Sequence, residues 1–77
     1  MAKKKLPIVG GLYLFTWPKK KPTMRAIGRV RIVDSKPDVT DVHIDMGEKG
    51  MHKIILDQAN FEVAHPDEPM GIQMKMK

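Results

Sequence analysis

The sequence predicts an all-β domain, a small barrel of five or six strands, on three observations. Apolar residues recur at every second position in a series of short runs, and no run keeps a helical period over ten residues. Each break between runs carries turn-forming chemistry. A chain of 77 residues makes one domain. At that length only about 60% of the unfolded surface is buried on folding, so strands have to cover one another's edges.

The strands follow in order. After the pair Gly10-Gly11, Leu12 and Leu14 alternate with Tyr13, Phe15 and Trp17. Pro18 and Pro22 lack the N–H that a ladder needs, so the segment 17–24 reads as a loop. Ala26, Gly28, Val30 and Ile32 then alternate with Arg25, Ile27, Arg29 and Arg31. If Val30 and Ile32 are core, Arg29 and Arg31 share the solvent face. Asp34 to Asp38 is a polar turn, after which Val42, Ile44 and Met46 alternate with Asp41, His43 and Asp45. Gly47-Glu48-Lys49-Gly50 has the glycines of a hairpin loop. His52 to Leu56 is a short apolar strand, and Asp57 to Asn60 has room for one turn of 3₁₀ helix. Phe61 to Ala64 is a further strand. His65 to Gly71, with Pro66 and Pro69, is a loop, and Ile72, Met74 and Met76 alternate with Gln73, Lys75 and Lys77. The expected organisation is a basic arm over 1–9, a barrel over 10–64, and a C-terminal loop with an added strand over 65–77. Methionine suits surfaces that repack against partners. The added strand can pair with its own domain or with another chain; the first is favoured.

This order resembles the SH3-like barrel, in which a one-turn helix precedes the closing strand. Within it, Gly28-x-Val30 with the trailing Val33-Asp34 is similar to the KOW motif of ribosomal proteins and transcription elongation factors. The likeness covers roughly residues 10 to 64. The chain opens with Gly11-Leu12-Tyr13 where a KOW unit has Gly-Asp and a valine pair, and its first loop holds prolines and lysines in place of glycines. The OB-fold, with five strands and similar patterning, is the alternative. Neither fold fixes a function.

Charge is distributed unevenly. Residues 1–33 hold nine basic side chains (Lys3, Lys4, Lys5, Lys19, Lys20, Lys21, Arg25, Arg29, Arg31) and no acidic one. Residues 34–77 hold five basic and nine acidic side chains, a balance of −4. Such asymmetry points to a polyanionic partner, unless folding interleaves the halves and cancels it. Tyr13, Phe15 and Trp17 point to one strand face and could stack unpaired bases beside phosphate contacts from Lys19, Lys20, Lys21, Arg25, Arg29 and Arg31. The competing role for these aromatics is core volume, which a chain with four aromatics in all needs.

Other chemistry is weakly represented. Without cysteine there is no disulfide and no thiolate metal site. Asp41-x-His43-x-Asp45 offers metal ligands, but i and i+2 lie about 6–7 Å apart along a strand, too far to share an ion unaided. It reads as an exposed polar face. His52 and His65 read as isolated surface or turn residues. The one serine, Ser35, is in a turn, Asp67-Glu68 lies beside prolines, and no phosphate-cradling loop leads into a helix. No catalytic residue, metal or cofactor is therefore expected. Leu12 to Phe15 is too short to span a bilayer, and the N-terminal lysines precede no signal-type apolar run, so a cytoplasmic protein without membrane contact is expected. The expected function is non-enzymatic binding of RNA or DNA, largely independent of sequence because lysines position phosphates and do not read bases. The alternative is an interaction or assembly subunit that docks its basic half on an acidic protein or on copies of itself.

Overall fold

The longest strand organises the molecule. The computed structural model describes residues 6–74 and contains six strands: β1 (Leu12–Trp17), β2 (Met24–Ser35), β3 (Thr40–Asp45), β4 (Met51–Ile55), β5 (Asn60–Val63) and β6 (Gly71–Met74). At twelve residues, β2 is long enough to serve two groups of strands. Its first half pairs with β1 on one edge and with β6 on the other, and its second half pairs with β3. All pairings are antiparallel, in the order β4-β3-β2-β1-β5 with β6 beside β2. The fold is all-β and barrel-like, but the sheet is open: among the described residues β4 and β5 do not pair with each other. A 3₁₀ turn at Leu56–Gln58 precedes β5, which returns to pair with β1.

The core forms where the two halves of the sheet face each other. Tyr13, Phe15, Ala26, Val30, Val42, Ile44, Met46, Ile54, Leu56 and Ala59 form one buried cluster. These are the inward members of the period-2 runs, since alternate side chains on a strand share a face. Gly28 lets β2 lie close against the side chains of β3. A Cβ there would lie 3.0 Å from Ile44 Cβ and 3.1 Å from Met46 Cγ, so any side chain would push β3 away. The Leu56–Gln58 turn is tied down by Asp57, whose Oδ2 accepts the Thr40 N–H at 2.8 Å. In the β3–β4 connection Gly47 (φ 68°) and Gly50 (φ 86°) take positive φ, which side chains resist, and a 3₁₀ turn fills Gly47–Lys49.

One expectation fails at a bulge. The β2–β3 register shifts between Val30 and Ile32, so that Val30 pairs with Ile44 and Ile32 with His43. One inserted residue moves every later side chain to the other face. Val30 is fully buried whereas Ile32 is 50% exposed. Ile32 is thus not core, and it shares the outer side with the arginines it was expected to oppose.

The ends are also informative. The Gly10 N–H donates to the Val30 carbonyl at 2.7 Å, and the Val30 N–H to the Gly11 carbonyl at 2.9 Å. These bonds prolong the β1–β2 ladder beyond Leu12. Pro7 is buried, and the Ile8 N–H donates to Tyr13 Oη at 3.1 Å. Pro7 and the Ile8 N–H therefore anchor this segment to the domain, while the side chains of Ile8 and Val9 stay exposed. Lys3, Lys4 and Lys5 of the basic arm, and Lys75, Met76 and Lys77 of the added strand, lie outside the described residues. β6 itself pairs within the chain, from Met24↔Met74 to Ile27↔Gly71. Among the described residues no helix is long and apolar enough to cross a membrane.

Candidate nucleic-acid interface

The loop between β1 and β2 presents its charge because neither proline can extend the ladder. The Thr23 N–H donates to the Trp17 carbonyl at 3.0 Å and closes the base of the loop. From the other side Asn60 Nδ2 donates to the Lys19 carbonyl at 2.9 Å, which fixes the loop against the start of β5. Pinned at these points, Lys19, Lys20 and Lys21 are all exposed. Among the described residues their ammonium groups meet no carboxylate.

The arginines of β2 behave differently, because a strand places each beside its neighbours' side chains. Arg25 Nη2 lies 3.1 Å from Glu68 Oε2, and the pair is about two-thirds buried. Arg31 puts Nε and Nη2 on Asp45 Oδ2, at 3.3 and 3.1 Å. Asp45 also accepts the Gly47 N–H on Oδ1 at 2.8 Å. That backbone bond first, and then Arg31, hold its carboxyl below the ordinary carboxylate range. Arg29 Nη1 donates to the Gly10 carbonyl at 2.6 Å and remains exposed; it lies opposite Asp45 on β3 and its charge acts on that carboxylate without a close ion pair among the described residues. Lys36 lies 3.5 Å from both Asp34 and Asp41, which together hold its ammonium above the ordinary lysine range, Asp34 most strongly. Folding thus pairs basic groups of the first half with acids of the second, and the lysine loop escapes that pairing.

The six expected cations do not form one patch. Arg25 faces Thr16 near the loop, while Arg29 faces Leu12 at the far end of β1. Four residues of strand separate these arginines, about 13 Å. The aromatic platform is also corrected. Tyr13 is 8% exposed and Phe15 is fully buried. Their rings pack with Phe61, at 5.8 Å for Tyr13 and 6.1 Å for Phe15, so no base can reach either face. Both residues supply core volume because β1 lies between β2 and β5, and its inward side looks into the middle of the domain.

Trp17 differs from them. It ends β1, is half-buried, and stacks on His52 of β4 with ring centroids 6.1 Å apart and an interplanar angle of 19°. This contact bridges the open sheet. Beside it runs a cleft of about 170 Å³ lined by Trp17, His52, Lys53, Ile54, Ile55 and Gln58. Sequence reasoning missed His52, Lys53 and Gln58. The alternation of His52 with Ile54 was the available signal, since it turns both inward, but nothing local says that the end of β1 lies opposite.

The Asp41, His43 and Asp45 face is less open than expected. Asp41 is 7% exposed and held by Lys36, and His43 and Asp45 are half-buried. Among the described residues no group of three His, Asp or Glu side chains could hold a metal ion. No family model, curated protein or solved structure matches the chain, which leaves its function to be argued from this geometry.

Proposed function

We propose that the protein is a non-enzymatic module that binds the phosphate backbone of RNA or DNA, largely without regard to sequence, through the loop carrying Lys19, Lys20 and Lys21. One observation carries this reading: three consecutive exposed lysines on a pinned loop, with no carboxylate in reach among the described residues. Pinning lowers the entropy lost when the loop engages a strand, and unpaired ammonium groups have no partner to give up. Arg29 adds a weaker contact at the other end of β1. Arg25 and Arg31 contribute little, because each would first have to leave its carboxylate.

The test is a titration of a labelled single-stranded oligonucleotide at low salt, read by fluorescence anisotropy. Three lysine–phosphate contacts give a log–log salt slope of about −2, so affinity falls roughly twentyfold between 50 and 200 mM salt. The triple variant Lys19→Glu, Lys20→Glu, Lys21→Glu loses binding. If the unaltered chain fails to bind at low salt, where electrostatic affinity is greatest, the reading is wrong.

A second reading, an assembly or interaction subunit, has its own observation. Among the described residues the outer edges of β4 and β5 are unpaired and carry exposed Met51 (54%), Ile55 (39%) and Val63 (74%), and unpaired edges invite strand addition. Light scattering separates the two: a monomer at high concentration that makes no partner complex counts against assembly.

A further inference from the structure

We infer that the cleft between Trp17 and β4 takes one unpaired base of the strand whose phosphates the lysine loop holds. This rests on the proposed function and adds to it a base-binding residue, Trp17, together with His52 and Gln58.

Placement comes first. Trp17 is two residues before Lys19, and the Lys19 carbonyl is held by Asn60, two residues beyond Gln58. The base of the lysine loop therefore follows directly on the Trp17 end of the cleft, and Lys53 stands on its β4 side. A strand lying across these cations passes its bases over the opening.

The lining suits a base. Two rings, Trp17 and His52, form an aromatic wall, and Ile54 and Ile55 supply aliphatic surface. The polar groups are uncommitted: the Trp17 indole N–H, the His52 ring nitrogens and the Gln58 amide make no hydrogen bond among the described residues. Among those residues no buried side-chain nitrogen or oxygen lacks a partner, so the half-buried Trp17 and His52 keep their polar atoms within reach of solvent or ligand. A base offers a ring face to stack on and an edge that donates and accepts. At about 170 Å³ the cleft is smaller than the roughly 300–1,000 Å³ of sites for larger small molecules, which favours a single flat ring. No carboxylate lines it to repel the flanking phosphates.

Stacking of a base on an aromatic side chain contributes a factor of about 5 to 150 in affinity. Trp17 is the only tryptophan in the chain, so its emission reports on this cleft alone. The experiment titrates the full chain at low salt with an oligothymidylate and with a strand of equal length and charge made of abasic sites. Affinity is read by competition against a labelled oligonucleotide, and contact by Trp17 fluorescence. The oligothymidylate is expected to bind at least fivefold more tightly and to quench Trp17, and the abasic strand to bind without quenching. Trp17→Phe keeps a ring and retains most of the preference; Gln58→Ala, an exposed position, lowers it without touching the core. Equal affinity for both strands overturns the base site and leaves phosphate binding intact. A preference without any change in Trp17 emission places the base elsewhere and also overturns it. If neither strand binds, the proposed function falls together with this inference.

Discussion

The lysine loop and β2 are adjacent in sequence and carry the same sign of charge, yet the fold treats them in opposite ways. On β2 the ladder brings acids to the arginines: Asp45 lies opposite Arg29 on β3 and pairs with Arg31, while Glu68, in the loop before β6, reaches Arg25. In the loop the prolines exclude a ladder, so no strand neighbour is delivered and three ammonium groups stay free of carboxylates among the described residues. Exposed ion pairs contribute only about 0–1 kcal/mol to stability, but they reduce the charge offered to a ligand. Counting cations along a chain therefore overstates a basic surface wherever strands are paired.

The sharpest way to separate these regions is to damage the strand and leave the loop alone. Gly28→Ala puts a methyl group 3.0 Å from Ile44 Cβ in a well-packed core, and Ile44 is itself fully buried and unable to retreat. The expected cost is about 1–3 kcal/mol of stability, measured by urea unfolding, since overpacking forces backbone shifts. Oligonucleotide affinity of the molecules that remain folded should change little, because no lysine moves. If affinity and stability fall together at temperatures where the variant is fully folded, the loop depends on β2 more closely than its hydrogen bonds imply.

A second comparison uses salt. Replacing Lys19, Lys20 and Lys21 by alanine should bring the salt slope of binding from about −2 to near zero. Replacing Arg25 and Arg31 by alanine should leave the slope almost unchanged, with a small loss of stability at the exposed Arg31 pair and a larger one at the part-buried Arg25 pair. Equal losses of slope from the two sets would show that the ion pairs open on binding and that the regions are not functionally distinct.

Much of this architecture was legible in the alternation of apolar residues, because period 2 is a local property that needs no knowledge of neighbours. The proline-bounded loop, the Gly47–Gly50 hairpin and the one-turn helix near Asp57 were legible for the same reason. Pairings distant in sequence were not. Nothing near Arg25 announces Glu68, 43 residues away, and nothing near Trp17 announces His52. The bulge beyond Val30 also escaped notice, since Ile32 continues the apolar rhythm in the chain and only the register with His43 turns it outward. Tyr13, Phe15 and Trp17 share a strand face, but depth in the domain divides them. The first two lie under the middle of the core, and the third reaches the open side of the sheet. Alternation gives the face of a side chain and says nothing of its distance from an edge.

The smallest effect belongs to the Arg31–Asp45 pair and tests whether β2 cations are really engaged. The folded protein holds the Asp45 carboxyl below its ordinary value of 3.8, through the Gly47 N–H and then Arg31. A group whose folded pKa is depressed stabilises the fold above its unfolded pKa, and that contribution disappears as pH falls through the folded value. The stability difference between the unaltered chain and Asp45→Asn should therefore be constant near neutral pH and shrink from about pH 4 downward. Because the pair is exposed, 1 M salt should reduce that difference, as it weakens Arg31 and leaves the Gly47 hydrogen bond. A difference that shrinks with falling pH but ignores salt would mean that Asp45 acts only as a turn acceptor for Gly47. Arg31 would then be a free cation, and the contrast between the strand and the lysine loop would narrow to Arg25 alone.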